Sequence, residues 1–175
     1  MRTYQGDRLT RFMTLLFCLL VPGSPATGIP IVNDPNGFED HSWGIILSEM
    51  EEFIRIEDAD RIQTYELKDR PPMLGTTVVD SLRFTTFENK LGRVTIRYSG
   101  KETHEAIMSY LQSKYGPLDR TPGQIAVGTV KVYAWHGFHT EVTLRFENRL
   151  DRGIIFFESR TLPEKLADGT SVTVF

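Results

Sequence analysis

The chain has 175 residues, of which 40% are hydrophobic and 25% are charged, a composition typical of a soluble globular protein. This length is sufficient for one domain with its own hydrophobic core. The formal net charge of −3 lacks the basic excess that nucleic-acid binding requires, so no nucleic-acid partner is expected.

The first 26 residues have the three parts of an export signal. Arg2, Arg8 and Arg11 precede an apolar run of ten residues, and small residues at 24–26 supply a cleavage site. The run is about half of the roughly 20 residues that span a bilayer, so we expect a signal peptide rather than a membrane anchor. Cys18, the only cysteine, lies in this run. We therefore predict a periplasmic or secreted protein whose mature chain has no membrane span, no disulfide and no thiolate metal ligand.

A short helix is predicted early in the mature chain. Apolar residues recur at three- and four-residue spacing over positions 43–54 and would form one buried stripe. Ser48 and Glu51 have the spacing of a capping box, and a start one or two turns earlier is the alternative. We expect the helix core at 47–55.

The opening of this region carries a resemblance to a known group of proteins. Phe38 is followed five residues later by Trp43-Gly44, and an F-x-N-K-L hairpin follows at 87–91. Over about residues 38–115 this pattern resembles small exported bacterial proteins of unassigned function. Those proteins often have Ser or Thr two residues after the glycine, where this chain has Ile46. The resemblance implies a location in the cell envelope and no particular activity.

A seven-residue phrase occurs twice, as FENKLGR at 87–93 and as FENRLDR at 146–152. Each copy is expected at the turn of a β-hairpin, and together they predict an internal repeat. In the first hairpin, strand alternation puts Phe87 out of phase with Phe84. One extra residue at Thr85–Thr86, forming a β-bulge, would place both on one face; a longer turn is the alternative.

The second predicted helix has the strongest signals. Ser99 to Glu102 forms a capping box, a buried stripe follows, and Gly116-Pro117 ends the helix. Strands are expected near 62–67, 78–87, 93–98, 126–135, 140–147 and 153–159. The sequence therefore predicts an α+β fold: two pseudo-repeated helix-strand-strand-strand units form an antiparallel sheet with both helices on one face.

These elements form a single α+β domain at 38–161, with halves at about 38–99 and 100–159. The signal peptide at 1–26 is followed by an extended lead-in at 27–37, which is rich in Gly, Pro, Asn and Asp. A tail at 162–175 completes the chain and is expected either to add an edge strand or to fray.

His136, His139 and Glu141 form the one pattern of metal ligands. Two imidazoles and a carboxylate can bind zinc, with water as the fourth ligand. However, residues three apart on a strand point to opposite faces, so the pattern is a weak signal and surface or half-buried histidines are the favoured interpretation. No nucleophile elbow and no phosphate-binding loop occur in the sequence, so no catalytic residue and no cofactor are predicted.

The sheet face that points away from the helices is expected to carry arginines. Arg83, Arg93, Arg97 and Arg145 all have the strand parity of this face. Arginine presents planar donors to carboxylate and phosphate groups, so these residues are candidates for binding an anionic ligand such as a peptidoglycan fragment. A wet face of arginine and threonine is also common in antiparallel sheets.

The last predicted strand is apolar on both faces. Ile155 and Phe157 have the parity of the core, whereas Ile154 and Phe156 face the opposite side and need cover. Either the tail covers them or a partner protein does, which makes Ile154 and Phe156 a candidate interaction patch.

The leading prediction is thus an exported envelope protein that acts as a non-enzymatic binding or interaction module. Its predicted partner is an envelope protein or an anionic ligand. A metal-dependent hydrolase using the two histidines and the glutamate, and a structural subunit of an envelope assembly, are the alternatives.

Overall fold

The computed structural model describes residues 29–118 and 124–162. The predicted signal peptide at 1–26, including Cys18, lies outside the described residues. So does the predicted tail from residue 163 onwards.

Within the described residues the chain forms thirteen β-strands and one α-helix. The helix is α1 (Lys101–Tyr115), and a 3-10 turn covers Leu47–Glu49. In chain order the strands are β1 (Ile29–Pro30), β2 (Gly37–Phe38), β3 (His41–Ser42), β4 (Phe53–Ala59), β5 (Ile62–Leu67), β6 (Met73–Leu74), β7 (Thr77–Val78), β8 (Ser81–Phe87), β9 (Lys90–Ser99), β10 (Gln124–Val127), β11 (Val130–His136), β12 (Thr140–Glu147) and β13 (Arg152–Ser159).

Nine of these strands form one main sheet in the order β1-β11-β12-β13-β9-β8-β5-β4, with β10 also paired to β11. The strands β10 to β13 pair as consecutive antiparallel hairpins. The strands β4, β5, β8 and β9 form a second antiparallel set. Antiparallel pairing of β13 with β9 joins the two sets, and β1 is parallel to β11, so the sheet is mixed.

One face of the main sheet carries the hydrophobic core. Phe38, from the segment before β4, packs between Phe84 and Phe157, with ring centroids 6.0 and 4.8 Å away. Ile107 and Leu111 of α1 are fully buried in the same core. The helix and the irregular segments around it therefore form a single layer over one side of the sheet.

The prediction of two helices on one face is wrong, because the region predicted as the first helix is not helical. Positions 47–55 contain only the short 3-10 turn and the start of β4. The fold is mostly β, with a single helix in the part of the chain that the structure describes.

Hydrogen bonds to distant segments explain why this first helix does not form. The amide of Gly44 donates to the carbonyl of Leu91 at 2.8 Å, and the amide of Leu91 donates to the carbonyl of Ile45 at 2.9 Å. The Trp43 indole donates to the Thr140 hydroxyl at 2.8 Å. These backbone groups are therefore satisfied by pairing with the sheet and not within a helix. The apolar residues of this region contact several different neighbours and do not form one helical stripe.

The two copies of the seven-residue phrase lie at hairpin turns but differ in structure. Phe87 pairs with Lys90, so the first turn has two residues, both with positive φ. Glu147 pairs with Arg152, so the second turn has four residues. Together with the missing first helix, this difference leaves the predicted internal repeat without structural support.

The register shifts at Thr85–Thr86 as predicted, but the prediction of an extra residue on β8, with Phe87 on the core face, is wrong. The register shifts between these two residues because Gly92 is the extra residue, on β9. The β8 strand therefore alternates regularly, with Thr86 buried. Phe87 lies on the opposite face, where the Arg61 guanidinium is 4.4 Å from its ring centroid.

Candidate functional site

The outer face is the side of the main sheet opposite the core, and its centre lies on β12, β13 and β9. Ile154 of β13 is directly between Arg145 of β12 and Arg97 of β9. In the next row, Phe156 is between Thr143 and Thr95. Because neighbouring strands are about 4.8 Å apart, the backbones of the two arginines are separated by roughly 10 Å. Both predicted arginines thus flank the predicted apolar patch.

Arginine side chains cover the apolar residues of the outer face. The guanidinium carbons of Arg93 and Arg145 are 5.6 and 5.8 Å from the ring centroid of Phe156. Ile154 is only 7% exposed, although Arg97 and Arg145 on either side of it are exposed. Arginine stems lie readily along apolar surface while the charged groups stay in water. Arginine side chains from the two neighbouring strands therefore lie over Phe156, where the sequence predicted cover by the tail or by a partner protein.

Two of the four predicted arginines are neutralised within the fold. Arg93 Nη2 is 2.5 Å from Glu158 Oε1, and its Nε donates to the same oxygen at 2.8 Å. Arg83 Nε donates to Glu66 Oε1 at 3.2 Å, and Glu57 is 4.0 Å from Arg83. These two arginines stabilise cross-strand contacts, and their charges are already compensated by neighbouring carboxylates.

Arg97 and Arg145 differ from them. Over residues 29–118 and 124–162, neither has a carboxylate oxygen within 4.0 Å. Both side chains are exposed. Their guanidinium groups are therefore available to an external anion, on either side of an apolar residue.

A further arginine of this face was not among the predicted residues. Arg152 is two positions before Ile154 on β13 and pairs with Glu147 and with Ser99. It is exposed, and no carboxylate of the described ranges is within 4.0 Å of it. The signal in the sequence was the alternation of the strand, because Arg152 has the same parity as Ile154.

The carboxylate opposite Arg152 has partners of its own. A hydrogen bond from the Thr129 hydroxyl, and then one from the Arg149 backbone amide at 3.0 Å, lower the pKa of Glu147. Glu147 therefore stays ionised at neutral pH. Even so, Arg97, Arg145 and Arg152 outnumber it, and this part of the outer face has an excess of positive charge.

The predicted metal ligands are only partly brought together. His136 Nδ1 is 3.6 Å from Glu141 Oε2 across β11 and β12. His139 lies in the turn between these strands, where its amide donates to Asp34 at 2.6 Å and its buried Nδ1 has no hydrogen-bond partner in the described structure. No group of three His, Cys, Asp or Glu side chains suited to a metal ion occurs among the described residues. The geometry therefore gives the zinc interpretation no support.

Comparison of the chain with family models, with curated proteins and with solved structures found no match. The resemblance to small exported bacterial proteins therefore stays a prediction. In the described ranges, no helix has the length and apolar character needed to cross a membrane. The functional interpretation depends on the geometry of the outer face.

Proposed function

We propose that this protein is an exported, non-enzymatic binding module whose outer face holds an anionic group of a ligand or of an envelope protein. One observation carries the proposal: Arg97, Arg145 and Arg152 expose three guanidinium groups around the apolar Ile154, with no carboxylate of the described residues within 4.0 Å. Guanidinium groups bind carboxylate and phosphate through paired hydrogen bonds.

The energetics favour a partner that makes several contacts at once. An exposed ion pair contributes about 0.2–1 kcal/mol, so a single anionic group would bind weakly. The cation–π contact between Arg145 and Phe156 is worth about 0.5–1 kcal/mol at an exposed site, so Arg145 can exchange it for a ligand at small cost. Binding should weaken with added salt, because the Debye length is about 10 Å at 0.1 M ionic strength.

Export to the periplasm or the medium is part of the proposal and is supported by the amino-terminal sequence alone. Arg2, Arg8 and Arg11 precede the apolar run, and small residues follow it. Processing would remove residues 1–26. Mass spectrometry of the protein purified from its native source would detect this shorter chain, and an unprocessed chain in the cytoplasm would contradict export.

The double variant Arg97→Glu/Arg145→Glu is expected to reduce capture of the native partner about tenfold or more, since a loss of 1.4 kcal/mol is tenfold in affinity. The substitutions remove two favourable charges and add two that repel an anion. The measurement is a pull-down from a native envelope fraction at low and at high salt, with captured proteins and small anionic molecules quantified by mass spectrometry.

The matched control is Lys68→Glu/Lys101→Glu, which makes the same change in net charge at two exposed positions outside this patch. Surface substitutions of this kind usually change stability by less than about 0.5 kcal/mol, so both variants should fold. The proposal requires that wild type and control retain the same partner and that the outer-face variant loses it. Equal capture by both variants would show that the outer face is not the binding surface.

A further inference from the structure

A second candidate site lies in the layer that covers the core face of the sheet. A groove of about 540 Å³ runs between the C-terminal half of α1 and the segment 33–39. This volume is within the roughly 300–1,000 Å³ typical of small-molecule sites. We call it the helix groove. The lining residues that matter here are Asp34, Phe38, Glu39, Tyr110, Lys114 and Tyr115.

Hydrogen bonds fix the walls of the helix groove in place. The Asp34 carboxylate accepts the amides of His139 at 2.6 Å and Thr140 at 3.1 Å. The amide of Val32 donates to the carbonyl of Tyr115 at 3.2 Å, which ties the same segment to the end of α1. The groove is therefore formed before any ligand binds, and a ligand need not order its walls.

Aromatic rings supply the apolar part of the groove. Phe38 and Tyr115 are buried at its base, and the half-buried Tyr110 lines one side. Gly75 lies against Tyr110, where a Cβ would be 2.6 Å from ring atom Cε2. The main chain at Gly75 therefore limits the movement of this ring.

Glu39 brings a carboxylate to the groove from the β2–β3 turn. Its φ of 50° is unusual for a residue other than glycine, so the turn holds it at a cost of about 1 kcal/mol or more. Burial is the largest effect on Glu39 and raises its pKa. The charges of His41 and Lys114 oppose this shift, and the charge of Asp40 adds to it. Over the described ranges no cationic side chain lies within 4.0 Å of Glu39.

Glu39 lines the same groove as the rings of Tyr110 and Tyr115. Burial is the main cause that raises the pKa of Tyr110 and of Tyr115. The negative charge of Glu39 adds to both shifts, and Tyr110 adds to that of Tyr115. Both tyrosine hydroxyls therefore stay protonated at neutral pH and can donate hydrogen bonds. The groove thus combines two carboxylates, a basic group and an aromatic surface, and of the carboxylates Asp34 already accepts backbone amides.

We propose that the helix groove binds a zwitterionic ligand of the amino-acid class, with its ammonium group on Glu39, its carboxylate on Lys114 and its side chain against Tyr110. Glu39 and Lys114 both line the groove but form no ion pair with each other. A ligand with both charges would satisfy both side chains. An ammonium group beside an aromatic ring also gains a cation–π contact. This site is separate from the outer face and would function independently of it.

Three matched probes test the assignment in calorimetric or NMR titrations: L-phenylalanine, phenethylamine, which lacks the carboxylate, and 3-phenylpropionate, which lacks the ammonium group. L-Phenylalanine should bind about tenfold more tightly than either analogue. In Glu39→Asn its affinity should fall to that of 3-phenylpropionate. Asn tolerates positive φ, so this variant removes the charge without straining the turn. In Lys114→Met the affinity should fall to that of phenethylamine.

The control variant is Asp40→Asn, which removes one negative charge from the neighbouring residue of the same turn and should bind L-phenylalanine as the wild type does. Circular dichroism would verify that all three variants are folded. The proposal is overturned if none of the probes binds at millimolar concentration. It is equally overturned if Glu39→Asn and Asp40→Asn bind L-phenylalanine with the same affinity.

Discussion

Replacement of Gly153 by alanine is expected to lower the free energy of unfolding by about 3 kcal/mol or more, at the upper end of the range for overpacking a core. Gly153 is buried on β13 and pairs with Tyr98 of β9. A Cβ at Gly153 would overlap ring atoms of Tyr98. The ring cannot easily retreat, because its hydroxyl shares a buried 2.7 Å hydrogen bond with His104 Nδ1. Denaturant-induced unfolding would measure the change.

The matched control is Gly128→Ala, where no other atom lies within 4 Å of the added Cβ and only the positive φ of 63° opposes the change. This control should cost only about 1 kcal/mol. In a Tyr98→Ala background, Gly153→Ala should lower the free energy of unfolding by at least about 1 kcal/mol less than it does in the wild type, because substitutions of residues in contact are not additive. Equal costs for the two glycine substitutions would show that Tyr98 does not limit the space beside Gly153.

Acidification from about pH 7.5 to about pH 4.5 is expected to cost about 2 to 3 kcal/mol of unfolding free energy through His104 alone. Burial, followed by the positive charge of Lys131, lowers the pKa of His104 to about 4, and Glu105 opposes this shift. The imidazole is stacked on the Phe146 ring with centroids 3.7 Å apart. Since the folded pKa is below the unfolded value, this stability is complete above about pH 6.5 and is lost as the pH falls toward 4.

The variant His104→Gln separates this contribution from that of the carboxylates that titrate in the same range. Glutamine cannot be protonated but can still hydrogen-bond to the Tyr98 hydroxyl. Unfolding curves at both pH values should show that wild type loses about 2 to 3 kcal/mol more than the variant. Parallel losses in the two proteins would mean that His104 has the same pKa in the folded and unfolded chains.

Local sequence signals were sufficient for α1 and for the hairpins β8–β9 and β12–β13, but not for β4–β5 or β10–β11. The helix at Lys101–Tyr115 ends at Gly116, as its apolar spacing and the Gly-Pro pair predicted. Even here the predicted capping box is absent: Gly100 is the N-cap, and the Ser99 hydroxyl donates to Asp80 instead. The helix forms without this cap because Ile107 and Leu111 are buried against the sheet.

The same kind of apolar spacing failed in the region around Trp43. The spacing of apolar residues shows which positions are buried, and a helix is only one backbone conformation that can bury residues at this spacing. In this region the backbone pairs with Leu91 and the indole with Thr140, residues far away in the sequence. No local pattern contains those partners, so only the folded chain could exclude the helix.

The sequence by itself determined that Arg97 and Arg145 lie on the face of their own strands that is turned away from the core, because each alternates with apolar residues along its strand. Only the tertiary structure decided which arginines keep an uncompensated charge. Arg93 is neutralised by Glu158, 65 positions away, because β13 pairs with β9 in one particular register. Strand order and register depend on the burial of the whole core, and they leave Arg97, Arg145 and Arg152 facing water.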